Sequence, residues 1–231
     1  MNFQIKGDSD CPLAEIILNE NENVNIERGS MVYTSNVSIQ GKLNTGKKGI
    51  SGIFGAIGRS FASGESMFIT NATGMTENSV IGISPKIPGK IKLLKVSENI
   101  QYRLNTGAFL ACDESVLYII KSQNIEKALL GGTGGLFVME TTGEGDLLVS
   151  AFGDIIEIDV TAERPYTIDN EHVIAWDKNL DYKIEIASGT FGFTTGEGIV
   201  NKFYGNGKVY IQTRNLNGLA NAVSPYIPSS K

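Results

Sequence analysis

The chain has few of the residues that most often mark an active site or a metal site. Its 231 residues include one histidine, two cysteines and six prolines. Any Ser-His-Asp, Cys-His or multi-histidine metal arrangement would therefore have to use His172. Cys11 and Cys112 lie far apart without CxxC spacing, which indicates neither a disulfide framework nor a zinc site. Because the N-terminus does not resemble a signal peptide and no apolar run is long enough to span a membrane, we expect a cytoplasmic protein that could lie at the periphery of a membrane. We also expect no cofactor.

An excess of positive charge is also missing. The formal net charge is −5 at pH 7, and only 19% of the residues are charged. Proteins grip a nucleic acid mainly through clustered Lys and Arg. The composition therefore argues against a nucleic-acid-binding protein. An apolar content of 41% with 27 glycines is typical of a globular protein with many tight turns.

A strand–turn–strand pattern occurs three times. Residues 102–113 align with residues 166–177 without a gap, and residues 24–35 form a third copy. Apolar runs precede each copy, and a second hairpin follows each copy. Self-similarity in a fixed order is the signature of repeat architecture, and short strands with glycine turns are typical of a sandwich or barrel. The sequence therefore predicts an all-β fold.

We predict a pseudo-threefold repeat of β-hairpin units that form a sandwich-like or prism-like body, with short helices in the connections. The predicted boundaries are a single all-β domain at 1–214, its three repeats at 13–89, 90–154 and 155–214, and a C-terminal tail at 215–231. Helical patterns lie at 50–61, 122–130 and 216–223. Small repeat units leave sheet edges exposed, so we expect assembly into an oligomer to cover them.

The segment 41–64 carries four basic and no acidic residues beside an apolar helical face. Basic amphipathic helices can lie in a membrane interface. The alternative, which we favour, is that the apolar face covers the end of the β body or a subunit contact, because three glycines interrupt it. The candidate residues for a membrane or partner contact are Lys47, Lys48, Ile50, Ile53, Phe54, Ile57, Arg59 and Phe61.

Other candidate sites have simpler interpretations. Residues 41–48 nearly match the phosphate-binding loop GxxxxGK[ST], but Lys48 replaces the hydroxyl residue that would hold magnesium, so we favour a surface loop. Residues 131–135 could cradle an anion with backbone amides or act as a hinge, which we favour. His172 lies at a turn position, where a solvated histidine is the commoner case. Asp113 and Asp177 recur at matching positions, where turn or capping roles are favoured over acid–base catalysis.

Several motifs, in order along the chain, resemble the altered-inheritance-of-mitochondria protein twenty-four family. They are SGESMFIT at 63–70, GAFLACD at 107–113, GEGIVNKF at 196–203, GKVYIQTR at 207–214 and PYIP at 225–228. The resemblance implies an all-β fold like that of the tryptophan RNA-binding attenuation protein, commonly built into homotrimers. It also implies a link to mitochondrial membrane organisation in eukaryotes, and it offers no catalytic residues. We expect no mitochondrial targeting segment of the kind that the eukaryotic branch would need.

These observations favour a non-enzymatic, oligomeric β-scaffold or binding protein of undefined ligand. A homotrimer is the favoured assembly, with a protein partner or a peripheral membrane contact as its further partner. The alternative is a ligand-binding or nucleic-acid-binding ring protein, by analogy with the attenuation-protein fold. A third hypothesis is an enzyme that uses His172 with a carboxylate.

Overall fold

The computed structural model describes residues 1–7, 10–43, 68–105, 107–122, 137–187 and 198–228. Most of these residues form β-strands, and they include one α-helix, α1 (Leu216–Val223), near the C-terminal end. The first strand is β1 (Asn2–Lys6). The predicted all-β class is confirmed, and α1 confirms the helix predicted at 216–223.

The remaining strands fall into three units of six. The first unit contains β2 (Leu13–Leu18), β3 (Asn23–Ile26), β4 (Met31–Ser35), β5 (Val37–Leu43), β6 (Phe68–Gly74) and β7 (Ser79–Ile83). The second contains β8 (Ile91–Val96), β9 (Tyr102–Asn105), β10 (Phe109–Asp113), β11 (Val116–Ser122), β12 (Phe137–Gly143) and β13 (Gly145–Ser150). The third contains β14 (Ile155–Val160), β15 (Tyr166–Asp169), β16 (Val173–Asp177), β17 (Asp181–Ile186), β18 (Ile199–Tyr204) and β19 (Gly207–Gln212).

Strands pair in the same antiparallel order in every unit. The first, sixth and third strands lie side by side, and so do the fourth, fifth and second. The third strand of each unit also has a register shift at the same point, one residue after its start, which is the mark of a β-bulge. The repeated sequence pattern therefore corresponds to a repeated pairing order. A threefold symmetric arrangement of the units in space stays a prediction, as do the domain boundaries.

Shared sheets join the units to one another. β3 pairs with β10, and β9 pairs with β16, which gives two six-stranded sheets with the orders β5-β6-β3-β10-β13-β8 and β11-β12-β9-β16-β19-β14. Two smaller sheets remain, β1-β2-β7-β4 and β15-β18-β17. Each cluster of buried apolar side chains also draws on neighbouring units. For example, Ile16 of the first unit and Leu110 of the second share one cluster.

Some elements differ from the sequence prediction. The sequence pattern predicts neither β1 nor the fourth strand of each unit, β5, β11 or β17, which follows the strand–turn–strand copy. Ser122, the first residue of the helix predicted at 122–130, is instead the last residue of β11 and pairs with Phe137. The helix predicted at 50–61 and the rest of the one predicted at 122–130 lie outside the described residues.

Candidate functional site

β4 forms an edge of its sheet and is the candidate site. Its sequence, Met-Val-Tyr-Thr-Ser, is rich in the β-branched and aromatic residues that favour strands. It pairs with β7 on one side, and no second strand pairs with it among the described residues. An edge strand presents a row of backbone N–H and C=O groups that can accept another strand.

The apolar side chains of β4 are exposed, although their counterparts in the other two units are buried. Met31, Val32 and Tyr33 are 48%, 56% and 40% exposed. The six residues at the same positions, Phe109, Leu110 and Ala111 in β10 and Val173, Ile174 and Ala175 in β16, are all 5% exposed or less. The difference arises from the neighbours, because β10 pairs with β3 and β16 pairs with β9 on the side where β4 has no partner.

A row of polar contacts fixes the outer face of this sheet. Tyr33 lies opposite Gly82, which lies opposite Glu15. The Tyr33 ring covers Gly82, where an added Cβ would come within 2.5 Å of the ring. The Tyr33 hydroxyl donates a hydrogen bond to Glu15, and Lys6 Nζ lies 2.6 Å from the same carboxylate. Hydrogen bonds from Lys6, then Tyr33 and Gln4, lower the pKa of Glu15 to about 2.

β15 is the edge strand at the other end of the series of units. It pairs with β18, and no second strand pairs with it in the described part of the chain. Its equivalents β3 and β9 each pair on both sides. Thr167 is exposed and Ile168 is buried, while the Arg164 guanidinium lies 5.2 Å from the centre of the Tyr166 ring. The first and the last units therefore each end on a strand with one neighbour.

Asp113 and Asp177 have equivalent hydrogen bonds to the backbone. Asp113 Oδ2 accepts from the N–H of Asp146 at 2.7 Å, and Asp177 Oδ2 accepts from the N–H of Lys208 at 2.8 Å. Each carboxylate belongs to the last residue of the third strand of its unit. It accepts a hydrogen bond from the second residue of the sixth strand of the same unit. A Cβ on the preceding residue, Gly145 or Gly207, would lie within 2.9 Å of that oxygen. These contacts agree with the predicted turn or capping roles.

His172 also contacts the chain with both ring nitrogens. Its Nδ1 lies 2.7 Å from the carbonyl oxygen of Gln212, and its Nε2 lies 2.8 Å from Asn215 Nδ2. Since a carbonyl only accepts and an amide nitrogen only donates, the pattern fits a neutral ring with its proton on Nδ1. Asn215 in turn caps α1 by accepting from the N–H of Gly218 at 2.6 Å. His172 thus links a turn of the third unit to the C-terminal helix.

Glu140 is a buried carboxylate that the sequence analysis did not identify. Lys121 Nζ and Lys178 Nζ each lie 2.9 Å from it, and Arg103 Nε lies 3.4 Å away. Burial opposes the charged form, but the hydrogen bonds from Lys121 and Lys178 outweigh burial and lower the pKa of Glu140 to about 2. The sequence signal that points to this cluster is a single acidic residue, Glu140, within the apolar stretch of β12. Since Lys178 belongs to the third unit, this cluster joins two units.

The other predicted site residues are only partly described. All eight candidate contact residues, Lys47, Lys48, Ile50, Ile53, Phe54, Ile57, Arg59 and Phe61, lie outside the described residues, as does the glycine-rich stretch 131–135. The first three residues of the loop predicted at 41–48 belong to β5 instead, because they continue its pairing with β6. Cys11 is exposed, whereas burial raises the pKa of the Cys112 thiol to about 12.

The described ranges contain neither a metal-binding cluster of side chains nor a membrane-spanning helix. No group of three or more His, Cys, Asp or Glu side chains there could hold a metal ion. No helix there is both long enough and apolar enough to cross a membrane.

A second exposed apolar surface does occur, on α1 and the residues after it. Its largest members are Leu216, Leu219, Val223, Tyr226 and Ile227.

The fold defines an all-β protein of hairpin units that are joined through shared sheets and end on open edges. The family model described as Mitochondrial biogenesis AIM24 matches residues 3–214, and the chain belongs to this family. An uncharacterised protein of Streptococcus pyogenes serotype M6 is 47% identical over 232 residues, which cover 100% of this chain and 92% of that protein. A crystal structure of a Streptococcus pyogenes protein is 44% identical, with a TM-score of 0.79 over 98% of this chain and 99% of that one.

Proposed function

We propose that this protein is a non-enzymatic, oligomeric β-scaffold or binding protein, with a homotrimer as the favoured assembly. The observation that carries the proposal is the exposure of β4. The same strand position is buried in the second and third units and exposed in the first. Exposed apolar strands at a sheet edge favour association, and a second copy of the chain is the occupant that we propose.

The contacts of the candidate catalytic residues support a role without catalysis. His172 is held by Gln212 and Asn215, and Asp113 and Asp177 hold backbone amides. A general base must reach the proton that it removes, whereas these side chains are engaged with the fold itself. Replacement of His172 by Ala should therefore affect the position of α1 and leave binding of a partner by the sheets unchanged.

The oligomer is tested by multi-angle light scattering after size exclusion, at micromolar protein concentration. One chain has a mass of 24.9 kDa. The proposal predicts a mass that is a multiple of this value, with three copies favoured. A mass of one chain at every concentration up to the solubility limit would contradict the proposal.

A second candidate role is contact with a membrane surface from the cytoplasmic side. Its support is the basic, apolar sequence of segment 41–64, together with the exposed apolar face of α1. Flotation with anionic and with neutral liposomes tests it on three proteins: the intact chain, a variant with 45–64 replaced by a Gly/Ser linker, and Leu219→Asp. Flotation of the intact chain with anionic lipid alone supports the role, and the variant that fails to float identifies the surface. If the intact chain does not float, the role is wrong.

A further inference from the structure

Two of the four sheets contain six strands in the same order of pairing. Each of the other two sheets contains one half of that six-stranded order. Each six-stranded sheet joins the fourth, fifth and second strands of one unit to the third, sixth and first strands of the next unit. The sheet β17-β18-β15 is the first half alone. The sheet β4-β7-β2, extended by β1, is the second half alone. The open edges of the two halves, β15 and β4, are the strands that meet inside the complete sheets.

We infer that β15 of one copy of this chain pairs with β4 of a second copy, antiparallel, so that two half sheets become one. In this pairing Ile168 lies opposite Tyr33, Thr167 opposite Thr34 and Tyr166 opposite Ser35. The inference rests on the proposed oligomer and names the interface that holds it together. Each copy offers one edge and accepts the other, so the interface is head-to-tail and closes into a ring when the rotation between copies permits.

The register follows from the two junctions inside the chain. At the junction of β10 with β3, the opposed residues are Ala111 with Ile26, Cys112 with Asn25 and Asp113 with Val24. At the junction of β16 with β9, they are Ala175 with Leu104, Trp176 with Arg103 and Asp177 with Tyr102. Both junctions have the same register when the units are aligned by their bulges and by the sequence repeat. Transfer of that register to β4 and β15 gives the three pairs above.

The distribution of charged residues along the sheet edges also favours β4 as the strand that pairs with a second copy. Sheets commonly protect an edge with charged residues or proline, which discourage pairing with other chains. The other strands at the ends of the sheets all contain at least one charged residue: β1, β5, β8, β11, β14, β15 and β17. β4 contains none, and the three residues of β15 in the proposed pairs are uncharged as well. An uncharged, apolar and exposed edge is suited to a strand partner.

The described chain does not close this junction by itself. β4 and β15 belong to separate sheets, and Met31, Val32 and Tyr33 remain exposed. A second copy would cover these side chains and would supply partners for the outer backbone groups of β4. Unpaired backbone groups are costly once water is excluded, so the pairing satisfies the edge and the apolar surface together.

The test is cross-linking between cysteines placed at one predicted pair. The full-length Cys11→Ser protein, which lacks the exposed native thiol, receives Thr34→Cys and Thr167→Cys, and is oxidised under mild conditions. Both threonines are exposed, so the variants should fold. Opposed residues of an antiparallel pair lie close enough for a disulfide. The matched control combines Thr34→Cys with Lys183→Cys, since Lys183 is exposed on the far strand of the same three-stranded sheet.

We expect Thr34→Cys with Thr167→Cys to convert most of the chain into covalent oligomers on a non-reducing gel. A mixture of the two single variants should give a covalent dimer, and the control pair should give mostly unlinked chain. A disulfide that forms within one chain, without covalent oligomers, would overturn the inference. Equal cross-linking of the control pair would also overturn it.

Light scattering of two variants distinguishes a wrong interface from a wrong proposal that the protein is an oligomer. Val32→Lys adds a charge to β4, and Ile5→Lys adds one to the exposed residue of β1 at the opposite edge of the same sheet. We expect Val32→Lys to reduce the mass in light scattering towards that of one chain, and Ile5→Lys to leave it unchanged. If the intact chain is oligomeric but neither the cross-link nor the Val32→Lys effect appears, the interface is wrong and the oligomer stands. If the intact chain is monomeric, both proposals are wrong.

Discussion

β4 and its counterparts β10 and β16 have the same place in the fold but opposite surroundings. All three are third strands of a unit, all three pair with a sixth strand, and all three have a bulge at the same point. β10 and β16 are flanked by the second strand of the preceding unit, and their side chains are buried. β4 belongs to the first of the three units, and no described strand flanks it in this way. Its exposure thus follows from the missing neighbour, since its residues are as apolar as theirs.

A repeat that is joined through shared sheets leaves uncovered strands at its ends. Each internal junction covers one second strand and one third strand. A linear series of three units contains two such junctions and leaves one strand of each type at its ends. The proposed pairing of these ends between copies would cover every unit in the same way.

The largest expected effect comes from equal truncations in β10 and β4. Leu110 is fully buried, and Leu110→Ala should lower the free energy of unfolding by about 2–5 kcal/mol, through lost burial and a cavity. Val32 occupies the equivalent position, and Val32→Ala should cost less than about 1 kcal/mol in the single chain, because the side chain is exposed. Urea unfolding is followed by the fluorescence of Trp176, the single tryptophan and a buried one.

These two variants must be compared at a protein concentration where the single chain dominates. If Val32→Ala costs as much as Leu110→Ala there, β4 is covered within one chain and the comparison is wrong. At higher concentration the cost of Val32→Ala should rise, because association would then bury Val32. Leu110→Ala should show no such dependence beyond that of the intact protein.

A smaller difference in stability between β4 and its counterparts is expected at the last residue of each third strand. Asp177→Ala removes the acceptor for the N–H of Lys208 and should cost about 1–3 kcal/mol, because a hydrogen bond from a partly buried N–H to a carboxylate is lost. Ser35 holds the equivalent position in β4 and is exposed, so Ser35→Ala should cost less than about 0.5 kcal/mol. Urea denaturation measures both. Equal costs would show that β4 is anchored like the other third strands.

Acid should weaken the contacts that Glu140 makes between the second and third units. Folding lowers the pKa of Glu140 from 4.5 to about 2. A carboxyl with a depressed pKa stabilises the fold above its unfolded pKa, and this stabilisation is lost as the pH falls through the folded value. Between about pH 4.5 and pH 2 the stability should therefore fall.

The control for this acid effect is Glu140→Gln, which removes the titrating group. The equivalent position at the other junction is Asn71, which bonds to Asn25 at 3.1 Å and does not titrate. Unfolding curves at a series of pH values should show a flatter acid limb for Glu140→Gln than for the intact protein. An unchanged acid limb would mean that other carboxylates dominate in this range.

The sequence predicts most of the strands, for physical reasons that also explain the misses. Alternating apolar residues with glycine turns identify most strands of the three units, and Gly29 and Gly107 have the positive φ that their turns require. In the third unit Glu171 replaces this glycine, and a short 3-10 helix, Asn170–His172, makes the turn. The fourth strands were missed because they lie beside the long connections and mix apolar with charged residues, as in β17.

The candidate site was less predictable than the fold. Met31, Val32 and Tyr33 have the same apolar pattern as Phe109 and its neighbours, so the sequence predicts a buried strand in every unit. Exposure depends on which strand lies alongside, and that is a property of the whole topology. The Glu140 cluster was missed for a similar reason, since its three basic partners come from β9, β11 and the turn after β16.

The smallest expected effect concerns the row that fixes Tyr33. Tyr33→Phe removes one of the hydrogen bonds that lower the pKa of Glu15, so this pKa should rise. Lys6→Ala should raise it further, because the Lys6 hydrogen bond is the largest cause. Titration of the Glu15 carboxyl by NMR gives both values. If Tyr33→Phe leaves the pKa of Glu15 unchanged, the Tyr33 ring does not hold this position on the edge of the sheet.

Hydrogen–deuterium exchange of the third strands measures directly whether β4 is open in the single chain and covered in the oligomer. Amides of β4 are compared with those of β10 and β16 at low and at high protein concentration. We expect fast exchange in β4 and slow exchange in β10 and β16 when single chains dominate. As the concentration rises, β4 and β15 should become protected together. Protection of β4 equal to that of β10 at the lowest concentration, or fast exchange in β4 at every concentration, would contradict this expectation.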